Sequence, residues 1–223
     1  MSPTCFHPGP MPKISWRVLT AIEALGLTAY IAWYIWYLQA AKPTLWIVFP
    51  IWFSASFLLH RDTTKTLGWR LDNLWPATRQ GLPVYAGLVF ATCMVGLWSG
   101  AYHRLPLHVA EPWRFFAYFA FCILQQIALN SYLTNRLLFS LESPQAAALV
   151  AGAIFAALHW PNPVLVPLTF IGGVVMSWLF SRERNIIPLI VGQAILGTLV
   201  WWVLPAAWHH GMRVGPRFYT FHQ

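Results

Sequence analysis

Charge is what this chain has least of. Only 9% of its 223 residues are charged, and six of those are acidic: Glu23, Asp62, Asp72, Glu111, Glu142 and Glu183. So little charge is at odds with an ordinary soluble domain, which needs a wetted surface over its core. Cysteine is scarce as well. Cys5, Cys93 and Cys122 are odd in number, and the last two fall inside apolar stretches. They form no CxxC or Cys/His ligand spacing, so neither a disulfide framework nor a zinc site follows. No internal repeat or low-complexity tract is visible. The basic N-terminus MSPTCFHPGPMPK runs into an apolar stretch too long for a signal-peptide core and without a small-residue cleavage site, so it reads as a retained first span.

What the chain does have is apolar and aromatic mass: 58% hydrophobic residues, with 14 tryptophans and 15 phenylalanines. That composition defines an integral membrane protein. The net charge of +8 comes from 14 Lys and Arg scattered over short connections, not gathered on one face. Membrane topology accounts for them, and a nucleic-acid partner is not expected.

Crossing a hydrocarbon core roughly 30 Å thick takes about 20 helical residues. Seven candidate spans follow, over 16–39, 44–60, 83–102, 113–139, 145–160, 163–181 and 186–207, each ending at Pro, Gly, a charge or a Trp/Tyr belt. The second is short and carries Pro50, so it can be tilted or re-entrant. The expected fold is an all-α, polytopic transmembrane helical bundle forming one domain over 1–223. Alternate connections carry nine basic residues on the N-terminal side (Lys13, Arg17, Arg61, Lys65, Arg70, Arg79, Arg136, Arg182, Arg184) and five on the other (Lys42, Arg104, Arg114, Arg213, Arg217). A cytoplasmic N-terminus is therefore expected, in a multi-pass protein of a bacterial plasma membrane contacting membrane lipids. In the longest connection, Leu67, Leu71, Leu74 and Trp75 recur at helical spacing before Pro76. That stretch reads either as a helix lying in the membrane interface or as a polar loop.

Polar residues at depth are the candidates for function. Glu23 is the one carboxylate inside a span, but it is close enough to the interface to reach water or Arg17, which favours a structural role. Gln125 and Gln126 are costlier, because an unpaired amide in hydrocarbon loses on the order of 2 to 7 kcal/mol. On a helix, Gln126, Asn130 and Thr134 recur every fourth residue as a polar seam, with Gln125 about 100° away from Gln126. Interhelical glue would explain that seam by itself. Two other spans add to it: Phe155 and His159 lie one turn apart, and Gln193 and Gly197 share the same spacing in the last span. His60, His103 and His108 at span ends, and His209, His210 and His222 near the C-terminus, read as interfacial or solvated.

In order and spacing these motifs resemble the CPBP family, the CAAX proteases and bacteriocin-processing proteins. Members carry two glutamates, three residues, then an arginine on one helix. A second helix has Phe, three residues, then His; a third has His, three residues, then usually Asn. The glutamate pair falls here on Gln125 and Gln126, and the arginine on Asn130. Phe155 and His159 are intact, while Gln193 and Gly197 stand where His and Asn are expected. The resemblance covers roughly 61–204, including TLGWRLDNLWPATRQGLP and LTFIGGVVMSWLFSRERNIIPLIVGQAI.

The resemblance implies a CAAX-protease-like core and, in the relatives, a glutamate that deprotonates a water attacking a peptide bond, helped by histidines directly or through a metal. A carboxamide cannot take that proton, and one imidazole among amides makes a poor divalent-metal site. Neither a metal nor another cofactor is expected.

The expectation is a non-canonical or inactive protease homologue. Its intramembrane cavity would be lined by Gln125, Gln126, Asn130, Phe155, His159, Gln193 and Gly197 and would bind a membrane peptide, a lipid-linked molecule or a partner membrane protein's helix. One alternative is an active intramembrane endopeptidase with His159 as catalytic base and the amides stabilising an oxyanion. Another is a structural subunit of a membrane complex.

Overall fold

The computed structural model describes residues 13–100 and 112–220. Every regular element among them is helical. The first helix, α1 (Lys13–Trp33), runs through a π-helical turn (Tyr34–Leu38) into α2 (Gln39–Ala41), and a 3-10 turn (Pro43–Ile47) then leads into α3 (Val48–Leu59). After a connection come α4 (Leu74–Trp98) and α5 (Pro112–Gln126), which continues as a π-helix (Ile127–Thr134) into α6 (Asn135–Leu141). The rest is α7 (Pro144–Ala157), α8 (Leu165–Glu183), α9 (Ile187–Val203) and two short helices, α10 (Ala206–His209) and α11 (Pro216–Tyr219).

Four helical stretches are long and apolar enough to cross a membrane: Trp16–Ala41, Leu74–Trp98, Phe115–Leu141 and Leu165–Glu183. Pro43–Leu59, Pro144–Ala157 and Ile187–Val203 are shorter apolar helices. This is the helical membrane bundle expected from composition, with large apolar side chains such as Phe90, Trp98, Phe116, Leu124 and Trp201 turned outward.

Small residues set the closest approaches. A Cβ on Gly173 would lie 2.9 Å from the Gly152 Cα, so α7 and α8 cross backbone to backbone. A Cβ on Gly192 would lie 2.5 Å from the Tyr85 ring, so α9 receives α4 in the same manner. Polar groups mark the ends. The Ser143 hydroxyl accepts the Ala146 N–H at 3.2 Å, with Pro144 starting α7. Asn162 Oδ1 accepts from the backbone N–H groups of Val164 and Leu165, and its Nδ2 donates to the carbonyls of His209 and Arg213, which fastens the C-terminal segment over the start of α8.

The connection before α4 follows the loop reading and not the interfacial-helix one. Residues 61–73 form turns, and the helix starts at Leu74. Pro76 falls in its first turn, where the missing N–H has no intrahelical partner to lose, so it does not end a helix there. The connection is tied down by side chains: Ser131 donates to the Leu67 carbonyl at 2.5 Å, Asn135 to that of Thr66 at 2.9 Å, and Asn185 to that of Arg70 at 2.8 Å. Arg70 pairs with Asp72, whose carboxyl is held below the usual carboxylate range by that hydrogen bond.

Candidate functional site: an amide relay beside an uncharged cavity

Gln126 is fully buried where α5 passes into the π-helix. Its Nε2 donates to Gln193 Oε1 on α9 at 2.6 Å and to the Met176 sulfur on α8 at 2.9 Å. Its Oε1 accepts from Asn130 Nδ2 at 2.6 Å. Asn130 Oδ1 in turn accepts from the Thr134 hydroxyl at 3.2 Å, which also lies 3.0 Å from the Ser177 hydroxyl. At the other end, Gln193 Nε2 donates to Gln125 Oε1 at 2.5 Å. Among the amides these bonds run in one direction, Asn130 to Gln126 to Gln193 to Gln125, so each polarises the next; the single Thr134 proton has the Leu129 carbonyl nearer, at 2.8 Å. Among the described residues, the terminal NH2 of Gln125 finds no protein acceptor.

Gln125 and Gln193 line a cavity of ≈ 800 Å³ reached by most of the long helices, together with His159, Phe155 and Gly197. Gln126 and Asn130 stand behind its wall, both fully buried. His159 sits on the turn after α7 and joins none of the amides. Its Nδ1 lies 2.6 Å from the Phe155 carbonyl, and its ring meets the Phe155 ring edge-on at 4.7 Å. A carbonyl can only accept, so Nδ1 carries the proton and the neutral ring keeps its lone pair on Nε2.

At Gly197 a Cβ would fall 1.7 Å from the Tyr118 hydroxyl oxygen. That glycine is the notch into which Tyr118 reaches, and Tyr118 lines the cavity too. The sequence reading missed Tyr118 and Met176. Tyr118 lies seven residues before Gln125, which puts the two on one helical face and could have revealed it.

Among the described residues, no Asp, Glu, Lys or Arg lines the cavity, and no group of three or more His, Cys, Asp or Glu is placed to hold a metal ion. Carboxamides with a single imidazole do not suit a divalent ion. The arrangement can donate and accept hydrogen bonds, and His159 adds an imidazole to it.

Charge is concentrated elsewhere. Arg136 on α6 is 3% exposed and donates to Ser56 Oγ at 2.8 Å and to Asp62 at 2.7 Å; its guanidinium lies 5.5 Å from the Tyr132 ring centroid. Glu23 stands 3.7 Å from Arg136 and 2.7 Å from His60 Nε2. This corrects two readings. Glu23 does not reach Arg17, which pairs with Glu142. His209 is buried, at 2% exposure, and not solvated; His60, half-buried at the end of α3, partners Glu23. A charge sunk in a bundle needs a counter-charge, and Glu23 and Asp62, far apart in sequence, supply it for Arg136. His103, His108 and His222 lie outside the described residues.

A helical membrane bundle with a polar relay at the junction of three of its helices is thus the class of protein defined by fold and site. Residues 112–199, from α5 into α9, match the family model described as Rce1-like, type II CAAX prenyl endopeptidase Rce1-like, so over that stretch the chain is similar to CAAX proteases. No curated protein and no solved structure matches it.

Proposed function

We propose that this chain is a CAAX-protease-like membrane protein that binds a membrane-embedded ligand without hydrolysing it: a membrane peptide, a lipid-linked molecule or a partner helix. The observation that carries the reading is the unbroken run of carboxamides beside a cavity that no carboxylate lines among the described residues. Gln125, Gln193 and His159 act as hydrogen-bonding groups, and Gln126 and Asn130 hold Gln193 in place from behind. The N-terminus lies on the cytoplasmic side, in keeping with the excess of basic residues there.

A second reading has one observation in its favour: His159 keeps a free lone pair in the same cavity as the donor end of the relay. There it would be the base, and the Gln125 N–H groups would meet the developing oxyanion. One pair of preparations separates the two. The protein as it stands should leave a prenylated peptide intact. The variant carrying Gln125→Glu, Gln126→Glu, Asn130→Arg and Gln193→His together is the one in which cleavage is expected. Cleavage by the unmodified protein that His159→Ala abolishes would establish the second reading instead.

A further inference from the structure

We infer that the ligand of this cavity is an uncharged lipid whose head is a hydroxyl, a long-chain alcohol in chemical class. The inference rests on the binding reading above and narrows it.

Three features point to this class. Among the described residues the lining has no Asp, Glu, Lys or Arg, so a carboxylate, phosphate or ammonium head would enter a low-dielectric space with no counter-charge from them. The polar groups with hydrogen-bonding capacity left over are of complementary kinds. The NH2 of Gln125 ends a relay in which every other bond is made, and it offers protons. His159, with its Nδ1 proton committed to Phe155, offers a lone pair. A hydroxyl both accepts and donates, and so suits a donor and an acceptor in one cavity.

The rest of the lining asks for a chain with few polar groups. Thr28, Thr92 and Thr169 turn their hydroxyls onto carbonyls four residues earlier, and Tyr132 donates to the Glu23 carbonyl. Gln39 and Ser54 stand on α2 and α3, elements with no part in the relay. An extended peptide brings a donor and an acceptor at every residue, which surfaces such as Leu27, Ile31, Phe53 and Leu168 cannot meet.

The test uses the full chain in phosphatidylcholine nanodiscs and tritiated hexadecan-1-ol as probe. Unlabelled hexadecan-1-ol, hexadecanoate at about pH 9 and hexadecyltrimethylammonium compete for it. The alcohol should displace the probe at least about tenfold more effectively than either ion, a gap of the size that one hydrogen-bonded head against an unpaired charge can create. Gln125→Leu should erase most of that preference while chain binding persists. Ala128→Trp, which puts bulk into the lining, should abolish displaceable binding. Equal competition by the ions, or a preference unchanged in Gln125→Leu, overturns the hydroxyl-head inference and leaves the cavity-binding reading in place. No displaceable binding in the unmodified protein overturns the lipid inference. If a cleaved peptide substrate is then found, the binding reading falls with it.

Discussion

Replacing Gln126 by leucine keeps nearly the same volume and removes the centre of the relay. In the folded protein two polar groups lose their partner: Asn130 Nδ2, at 0% exposure, and Gln193 Oε1, on a residue at 8% exposure. Each buried orphan costs about 1 to 3 kcal/mol. The added apolar surface offsets part of that, about 1 kcal/mol, which leaves a net loss of about 1 to 5 kcal/mol. Measured couplings between membrane helices are smaller, near 0.6 kcal/mol on average, because the unfolded chain in lipid also finds partners. The relay should exceed that average, since Gln126 bonds to three side chains on separate segments.

The assay is reversible unfolding in mixed micelles, with Gln193→Leu and the double variant alongside. Gln193→Leu orphans Gln125 Oε1 and leaves Gln126 Nε2 with only the Met176 sulfur. The double variant no longer contains the Gln126–Gln193 orphan on either side, so it should be less destabilised than the sum of the singles by about 1 to 2 kcal/mol. Gln126→Leu costing under about 0.5 kcal/mol, or strict additivity, would refute the relay as a coupled unit.

Arg136→Met leaves the half-buried Glu23 and Asp62 without their shared cation and should cost about 2 to 4 kcal/mol; Asp62→Asn added to it should recover part of the loss in the same unfolding assay. Gly197→Ala drives a methyl into the Tyr118 hydroxyl and should destabilise by about 1 to 3 kcal/mol, with Tyr118→Ala relieving the strain as read by thermal denaturation. Ser143→Ala removes the α7 cap and should cost about 1 kcal/mol, with no effect on ligand binding.

How much of this could be read from the sequence depends on whether local pattern or long-range contact decides a feature. The apolar helices were legible because lipid demands long uncharged runs, and only their ends moved, as where α4 begins at Leu74 ahead of Pro83. The Gln126–Asn130–Thr134 seam was legible because it lies on one face of one helical run. The π-helix of Ile127–Thr134 was not, since no composition rule marks i+5 bonding. The partners were hidden as well. That Gln126 meets Met176 and that Arg136 meets Glu23 are facts of tertiary packing, with no spacing in the chain to announce them. The connection at 61–73 suggested a helix because its leucines have helical spacing, while Ser131, Asn135 and Asn185 hold its carbonyls in another shape.

The account stands on carboxamides occupying the positions at which the relatives are expected to carry a carboxylate base, in a cavity that no carboxylate lines among the described residues. Incubating the purified protein with a prenylated peptide in heavy-oxygen water, and reading the product carboxyl groups by mass spectrometry, tests that directly. The account predicts intact peptide and no label above that of a no-protein control. Labelled carboxyl product that disappears in His159→Ala would contradict it.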